Sequence, residues 1–313
     1  MLDVYKSIYR LEGQPFRLSP DCRFSFGHPS FNNARSYLKY AVSEGEGFVA
    51  ITGEPGTGKT TLIASLLLEL DQTRVQVASL TNVQLDTGNL LNMTLEAFGL
   101  EVGGENQVSP LSKLKQFLIQ QFNKGRRCIL IVDEAQGLPP AALEELRLIS
   151  NLQHNSLQHV NGSLLQVFLV GQDTLMDLIR APGLEQLHQR IIAASHLEPL
   201  ELEETVAYVE HRLYKVGWKN DPSFTEEAME LIHKFSGGVP RRINLICHRL
   251  FLYGGLKQKH ELVGTDAMHV IVELHREGLL KHGAHKQLTD YAESIKDFHL
   301  KKLCQFDSFA SRS

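Results

Sequence analysis

Eight residues constrain this chain more than any others: Gly53-Glu54-Pro55-Gly56-Thr57-Gly58-Lys59-Thr60, which follow directly on the apolar run Gly47-Phe48-Val49-Ala50-Ile51. The glycines let the backbone turn tightly enough for successive N–H groups to point inward, at the positive end of the helix that follows. Such a concavity suits the oxygens of a phosphate chain. In that arrangement Lys59 reaches the β and γ phosphates of a nucleoside triphosphate, and the Thr60 hydroxyl serves Mg2+. Thr61 and Leu62 then continue into an apolar helix, Leu62 to Leu70, able to pack on a sheet. A chance match to this loop has a probability on the order of one per cent in a chain of this length. The strand before it and the helix after it lower that further.

With 313 residues, 42% of them hydrophobic, the chain can bury a large core as one big domain or two smaller ones. A net charge of −4 argues against a protein that coats nucleic acid through bulk electrostatics, while leaving a local basic face open. No stretch approaches the roughly 18 apolar residues of a membrane span, and Met1 to Arg10 lacks the apolar core of a secretory signal. The expected location is therefore cytoplasmic, where ATP is available. Cys22, Cys128, Cys247 and Cys304 have no C-x-x-C spacing, so reduced, mostly buried thiols are expected rather than a zinc cage or a disulfide framework. His282 and His285 form a lone H-x-x-H, expected to face solvent.

Leu11 to Arg23 contains Pro15-Phe16 and Pro20-Asp21, extended or turn dipeptides expected to lie over a nucleotide base, before a helix from Asn33 to Glu44. After the phosphate loop come a strand at Val75 to Leu80 and helices at Asp86 to Phe98 and Leu111 to Asn123. Cys128 to Val132 and Leu164 to Val170 are continuous apolar runs, as central parallel strands covered on both faces require. This alternation predicts a doubly wound α/β domain. Beyond Leu200 the strand-like runs stop, and Glu203 to Val216, Thr225 to Ser236, Arg241 to Tyr253 and Asp266 to Glu277 carry helical spacing. The expected division is a nucleotide-binding α/β domain over 1–200, an all-helical lid over 201–278 and a tail over 279–313. In the tail, Leu288, Tyr291, Ile295 and Phe298 fall at helical spacing, which fits a docking helix or a partly disordered terminus. Trp218 is expected to pack inside the lid.

Asp133-Glu134 ends the strand Cys128 to Val132, and ligands of open α/β sheets bind at the carboxyl ends of parallel strands. There Asp133 can hold Mg2+ through water, and Glu134 can orient or deprotonate the water that attacks the γ-phosphate. Gln172 ends the next apolar strand and is a candidate γ-phosphate sensor, the alternative being an ordinary post-strand turn. Arg190 precedes the apparent fifth strand, where its guanidinium can project onto a neighbouring subunit's γ-phosphate or simply stand on the surface. In Gly237-Gly238-Val239-Pro240-Arg241-Arg242, a turn and a proline start a helix whose first turn carries Arg241, a candidate for coupling the lid to the nucleotide. Arginine is not the charge that a helix start favours, which argues for such a role.

Taken in order, the phosphate loop (Walker A), the Asp133-Glu134 strand end (Walker B), Gln172, Arg190 and the Gly238-Val239-Pro240-Arg241 helix start resemble those of an AAA+ ATPase. Over roughly residues 5 to 275 the chain resembles the general secretion pathway protein A family, and within it the ATPases that accompany exosortase/PEP-CTERM exopolysaccharide clusters. The segments that carry this are Pro15-Phe16-Arg17-Leu18-Ser19-Pro20-Asp21, Gly45-Glu46-Gly47-Phe48, Asp133-Glu134-Ala135-Gln136, Leu143-Glu144-Glu145-Leu146-Arg147 and Gly238-Val239-Pro240-Arg241-Arg242-Ile243-Asn244. The resemblance implies a P-loop core of five parallel strands in the order 5-1-4-3-2, a C-terminal helical lid, ATP hydrolysis, and a homo-oligomer that places Arg190 in a neighbouring site. Phe31, Gly137 and His188 depart from the family pattern, and His188, standing where arginine is frequent, leaves Arg190 as the finger. Secretion-type relatives continue into a transmembrane helix and a peptidoglycan-binding region, whereas this sequence reaches Ser313 with neither, so the exopolysaccharide type is expected.

Three functions compete on this reading. The first is a Mg2+-dependent ATPase that supports envelope, exopolysaccharide or secretion-pathway assembly, with membrane-associated export components as partners and peripheral association at the inner membrane left open. The second is an ATP-gated DNA-binding switch of the transposition or replication-initiation type, suggested by Arg126, Arg127, Arg241 and Arg242. The third is a module that uses nucleotide only to set its shape for a partner.

Overall fold

The computed structural model describes residues 4–19, 21–71, 73–81, 89–102, 109–153 and 163–280. In chain order its elements begin with α1 (Val4–Ile8), α2 (Pro29–Glu44), β1 (Phe48–Gly53), α3 (Lys59–Glu69) and β2 (Val75–Leu80). There follow α4 (Leu90–Ala97), α5 (Pro110–Asn123), β3 (Arg127–Val132), α6 (Pro140–Ser150), β4 (Leu165–Val170), α7 (Thr174–Arg180), α8 (Glu185–His188) and β5 (Ile191–Leu197). The remainder is α9 (Leu202–Tyr214), β6 (Ser223–Phe224), α10 (Glu226–Ser236), α11 (Pro240–Leu256), β7 (Glu261–Leu262) and α12 (Gly264–Arg276). Two compact units result, one of residues Pro29–Glu198 and one of Met1–His28 together with Pro199–Ser313.

The first unit is a five-stranded sheet in the order β2-β3-β4-β1-β5, with every neighbouring pair parallel. β1 and β4 are buried along their whole length because helices cover both faces, which is why their sequences are unbroken apolar runs. Side chains alternate between those faces. Val49 and Ile51 pack with Leu38 and Val42 of α2 and Leu62 and Leu66 of α3, while Phe48, Leu130, Val167 and Leu169 pack with Leu114 of α5 and Leu143 and Leu146 of α6. At the edge, β5 alternates partly buried with exposed residues and so lacks the continuous apolar signal. α5 begins as its sequence suggests, with Pro110 in the first turn and the Ser109 hydroxyl accepting from the Ser112 N–H at 3.3 Å. The helix expected over Asp86 to Phe98 is described from Leu90 onward; residues 82–88, like the tail beyond Leu280 with His282, His285 and Cys304, lie outside the described residues.

The second unit corrects two sequence expectations. Residues up to His28 belong with the lid rather than with the sheet, because the apolar residues Tyr9, Leu11 and Phe16 are buried in the helical core. Both aromatic rings meet Phe251 edge to face, at 5.5 Å for Tyr9 and 5.3 Å for Phe16. The Arg212 guanidinium ties the segment down, its Nε donating to the Pro15 carbonyl at 2.5 Å and its Nη1 to the Tyr208 hydroxyl at 2.8 Å. Nor is the lid all helix, since β6 and β7 form a short parallel pair. Trp218 does pack in this core, and its Nε1 donates to the Pro222 carbonyl at 3.0 Å.

At the start of α11, Gly238 has φ +69°, and a Cβ there would run into the Leu200 carbonyl oxygen. The same approach lets the Leu200 N–H donate to the Gly238 carbonyl at 2.9 Å. Gly238→Ala is expected to destabilise the helical unit by about 3 kcal/mol through backbone strain and steric conflict. Thermal unfolding followed by circular dichroism checks this, and an unchanged midpoint would contradict the tight turn.

Candidate functional site

The phosphate loop leaves the carboxyl end of β1, between the carboxyl ends of β4 and β5. Gly58, with φ 104°, has open space where a Cβ would stand, and it forms the N-cap of α3. The Thr57 hydroxyl closes the loop on itself by donating to the Glu54 carbonyl at 2.9 Å. Lys59 is only 8% exposed. Its ammonium donates to the carbonyls of Gly53 at 2.8 Å and Glu54 at 3.0 Å. Loss of hydration lowers the Lys59 pKa, while the charges of Glu134, Asp133, Asp173 and Glu54 work in the opposite direction. Thr60 is exposed on the first turn of α3, and Thr61 beside it is half-buried.

Asp133 and Glu134 follow β3. Asp133 is anchored by its own N–H, which donates to the Leu80 carbonyl at 2.9 Å, and its Oδ1 accepts the Glu134 N–H at 2.9 Å. Glu134 takes a left-handed backbone conformation, φ 53° and ψ 36°, and caps the 3-10 turn Ala135–Gly137. This sharp reversal separates the two carboxylates into different surroundings. The half-buried Gln172, after β4, donates its side-chain amide to Glu134 Oε2 at 3.4 Å. On the opposite side of the loop, Thr52 Oγ1 and His196 Nδ1 are 3.1 Å apart, and His196 also approaches Asp173 and Glu198.

Gly53 to Thr61, Asp133, Glu134 and Gln172 thus come together at one edge of the sheet. Arg190 does not. It is exposed immediately before β5, and its carbonyl accepts the N–H of Phe48 at the amino end of β1. Roughly 17 Å of strand separates that edge from the phosphate loop. Arg190 therefore stands at the end of the sheet opposite its own chain's loop. Arg241 belongs to the other unit, exposed on the first turn of α11. Three of the four arginines that suggested duplex DNA bind backbone carbonyls: Arg126 that of Thr73, Arg127 those of Val42 and Ser43, and Arg242 that of Ser236. Among residues the sequence did not single out as functional, Gln136 touches both Glu134 and Gln172. Cys128 and Cys247 are buried free thiols, and burial pushes Cys128 up to about 12. Neither reaches the site. No helix among the described residues is long and apolar enough to cross a membrane.

A parallel sheet in this order, with a lysine-bearing phosphate loop after β1 and paired acids after β3, defines a P-loop AAA+ protein, and this chain belongs to that class. Residues 42–179 match the AAA domain family. The chain is related to general secretion pathway protein A: it is 37% identical to the Aeromonas hydrophila protein over 264 residues, which cover 84% of this chain and 47% of that one. It thus spans about half the length of that relative. Among solved structures it resembles the Aeropyrum pernix ORC2 protein in its ADPNP–ADP complexes, with a TM-score of 0.59, 17% identity, and coverage of 90% of this chain and 82% of that one. It also resembles the Thermotoga maritima RuvB Holliday junction branch migration motor, with a TM-score of 0.54, 21% identity, and coverage of 86% and 76%.

Proposed function

We propose that this protein binds ATP with Mg2+ and hydrolyses it to ADP and phosphate, as a cytoplasmic homo-oligomeric ATPase serving assembly of an envelope export system. The observation that carries this is the Lys59 ammonium, buried against two carbonyls and surrounded by the acids Asp133, Glu134, Asp173 and Glu54. A desolvated cation among carboxylates suits a triphosphate whose charge a divalent ion offsets. Bound Mg2+ supplies electrostatic stabilisation of charge on the transferring phosphoryl group.

The N–H groups of Gly53 to Gly58, with Glu54, Pro55 and Thr57 shaping the loop, cradle the phosphate chain, and Lys59 binds its β and γ groups. Thr60 and Asp133 hold the metal, and Thr61 completes the first turn of the helix. Glu134 takes a proton as a water O–H bond breaks. The water oxygen bonds to the terminal phosphorus as the bond to the bridging oxygen breaks, leaving ADP and phosphate. Gln172 senses the γ-phosphate, Arg241 couples the lid to it, and Arg190 acts on a neighbour's site. Similarity to general secretion pathway protein A supports export components at the inner membrane as partners. The motif resemblance supports an exopolysaccharide cluster as the setting of that export system.

Phosphate release from purified protein with and without Mg2+ tests the activity, and mixing variants tests the arrangement in trans. Arg190→Ala is expected to lose at least about 1000-fold in kcat with ATP affinity unchanged. Mixed with Glu134→Gln protein, it is expected to regain turnover, because hybrid interfaces pair an intact Glu134 with an intact Arg190. No recovery in mixtures shown to exchange subunits would contradict the role assigned to Arg190.

A further inference from the structure

The Gln136 side-chain amide is engaged at both ends. Its Nε2 donates to Glu134 Oε2 at 2.5 Å, and its Oε1 accepts the backbone N–H of Gln172 at 3.0 Å. Gln172 Nε2 donates to the same glutamate oxygen at 3.4 Å. One oxygen of Glu134 therefore faces two amide donors, and among the described residues no hydrogen bond engages Oε1. Gly171 makes the room for this: a Cβ there would stand 2.5 Å from Gln136 Oε1 and 3.0 Å from Leu175 Cδ2. An amide can donate to a carboxylate with one arm and accept from a main-chain N–H with the other, while adding no charge.

We propose that Gln136 is a positioning residue for the hydrolysis: it fixes the Glu134 carboxylate so that Oε1 is the oxygen presented to water, and ties that orientation to the carboxyl end of β4. A shift of Gln172 on engaging the γ-phosphate then passes through Gln136 to the base. The proposal rests on Glu134 as the general base. Its physical content is orientation, since a reacting group misplaced by about 1 Å can cost about 100-fold in rate.

The test compares wild type, Gln136→Leu, Gly171→Ala and Glu134→Gln for kcat, for affinity toward a fluorescent ATP analogue, and for melting temperature. Gln136→Leu is expected to lower kcat about 10- to 100-fold with affinity within about twofold. Gly171→Ala is expected to reproduce much of that loss, with a lowered melting temperature. Its methyl deletes no polar group but crowds both the far end of the flexible Gln136 side chain and the buried Leu175. In the Glu134→Gln background, Gln136→Leu is expected to change the residual rate little, because the two residues act as one unit. Wild-type kcat in both Gln136→Leu and Gly171→Ala, with Glu134→Gln inactive, overturns the positioning role alone. Affinity falling in step with rate also overturns it, by making Gln136 a support of the binding loop. Wild-type protein that binds ATP without ever hydrolysing it overturns the ATPase reading and this inference together.

Discussion

Lys59→Met is expected to weaken ATP binding by at least about 100-fold, ~3 kcal/mol, while leaving the nucleotide-free fold as stable as before or more so. The first effect follows from losing a charge-assisted contact to phosphate in a site that excludes water from the ammonium. The second follows from what the lysine costs when no anion is bound. Burial lowers its pKa, so the folded chain holds this proton less readily than the unfolded chain does. Below the folded pKa that difference is a penalty on the fold, and it fades as pH rises toward the unfolded value. Methionine removes the charge and keeps the length of the apolar stem. Melting curves with and without ATP separate the effects: the variant should melt no lower than wild type when empty and gain nothing from nucleotide. A variant that loses stability when empty would show Lys59 to be a structural cation held by Gly53 and Glu54.

Glu134→Gln is expected to keep ATP affinity and lose about 1000-fold in kcat, the range in which general bases contribute. The replacement is nearly isosteric, and its oxygen can still accept from the amide of Gln136, which lies 2.5 Å from Glu134 Oε2. What it removes is proton-accepting power. Asp133 is no substitute, because its Oδ1 is turned to the Glu134 N–H and its main chain is fixed to Leu80. Single-turnover hydrolysis measured with saturating ATP isolates this step from binding and product release. A near-normal rate there would remove Glu134 as the base.

The sheet was legible in the sequence because parallel strands buried on both faces announce themselves as apolar runs. Cys128 to Val132 is such a run, one residue short of β3, whereas the edge strand Val75 to Leu80 shows only through its β-favouring residues. The strand order, however, came from the resemblance and not from any periodicity. The placement of the leading segment was not legible, since the ring contacts of Tyr9 and Phe16 are with Phe251, far along the chain. β6 and β7 have two residues each, too few to show a period of two. The loop and its acids were visible as types at a spacing. The role of Gln136 was hidden, because it depends on a glycine at 171 that opens space for an amide from another strand's end.

Isothermal titration of well-folded wild-type protein with ATP and Mg2+, beside Lys59→Met, tests most directly whether residues 53 to 60 and the acids at 133 and 134 form a triphosphate site. One ATP per chain is expected for wild type, with no measurable heat from the variant at the same concentrations. Absence of heat from wild type, or equal binding by both proteins, would contradict it.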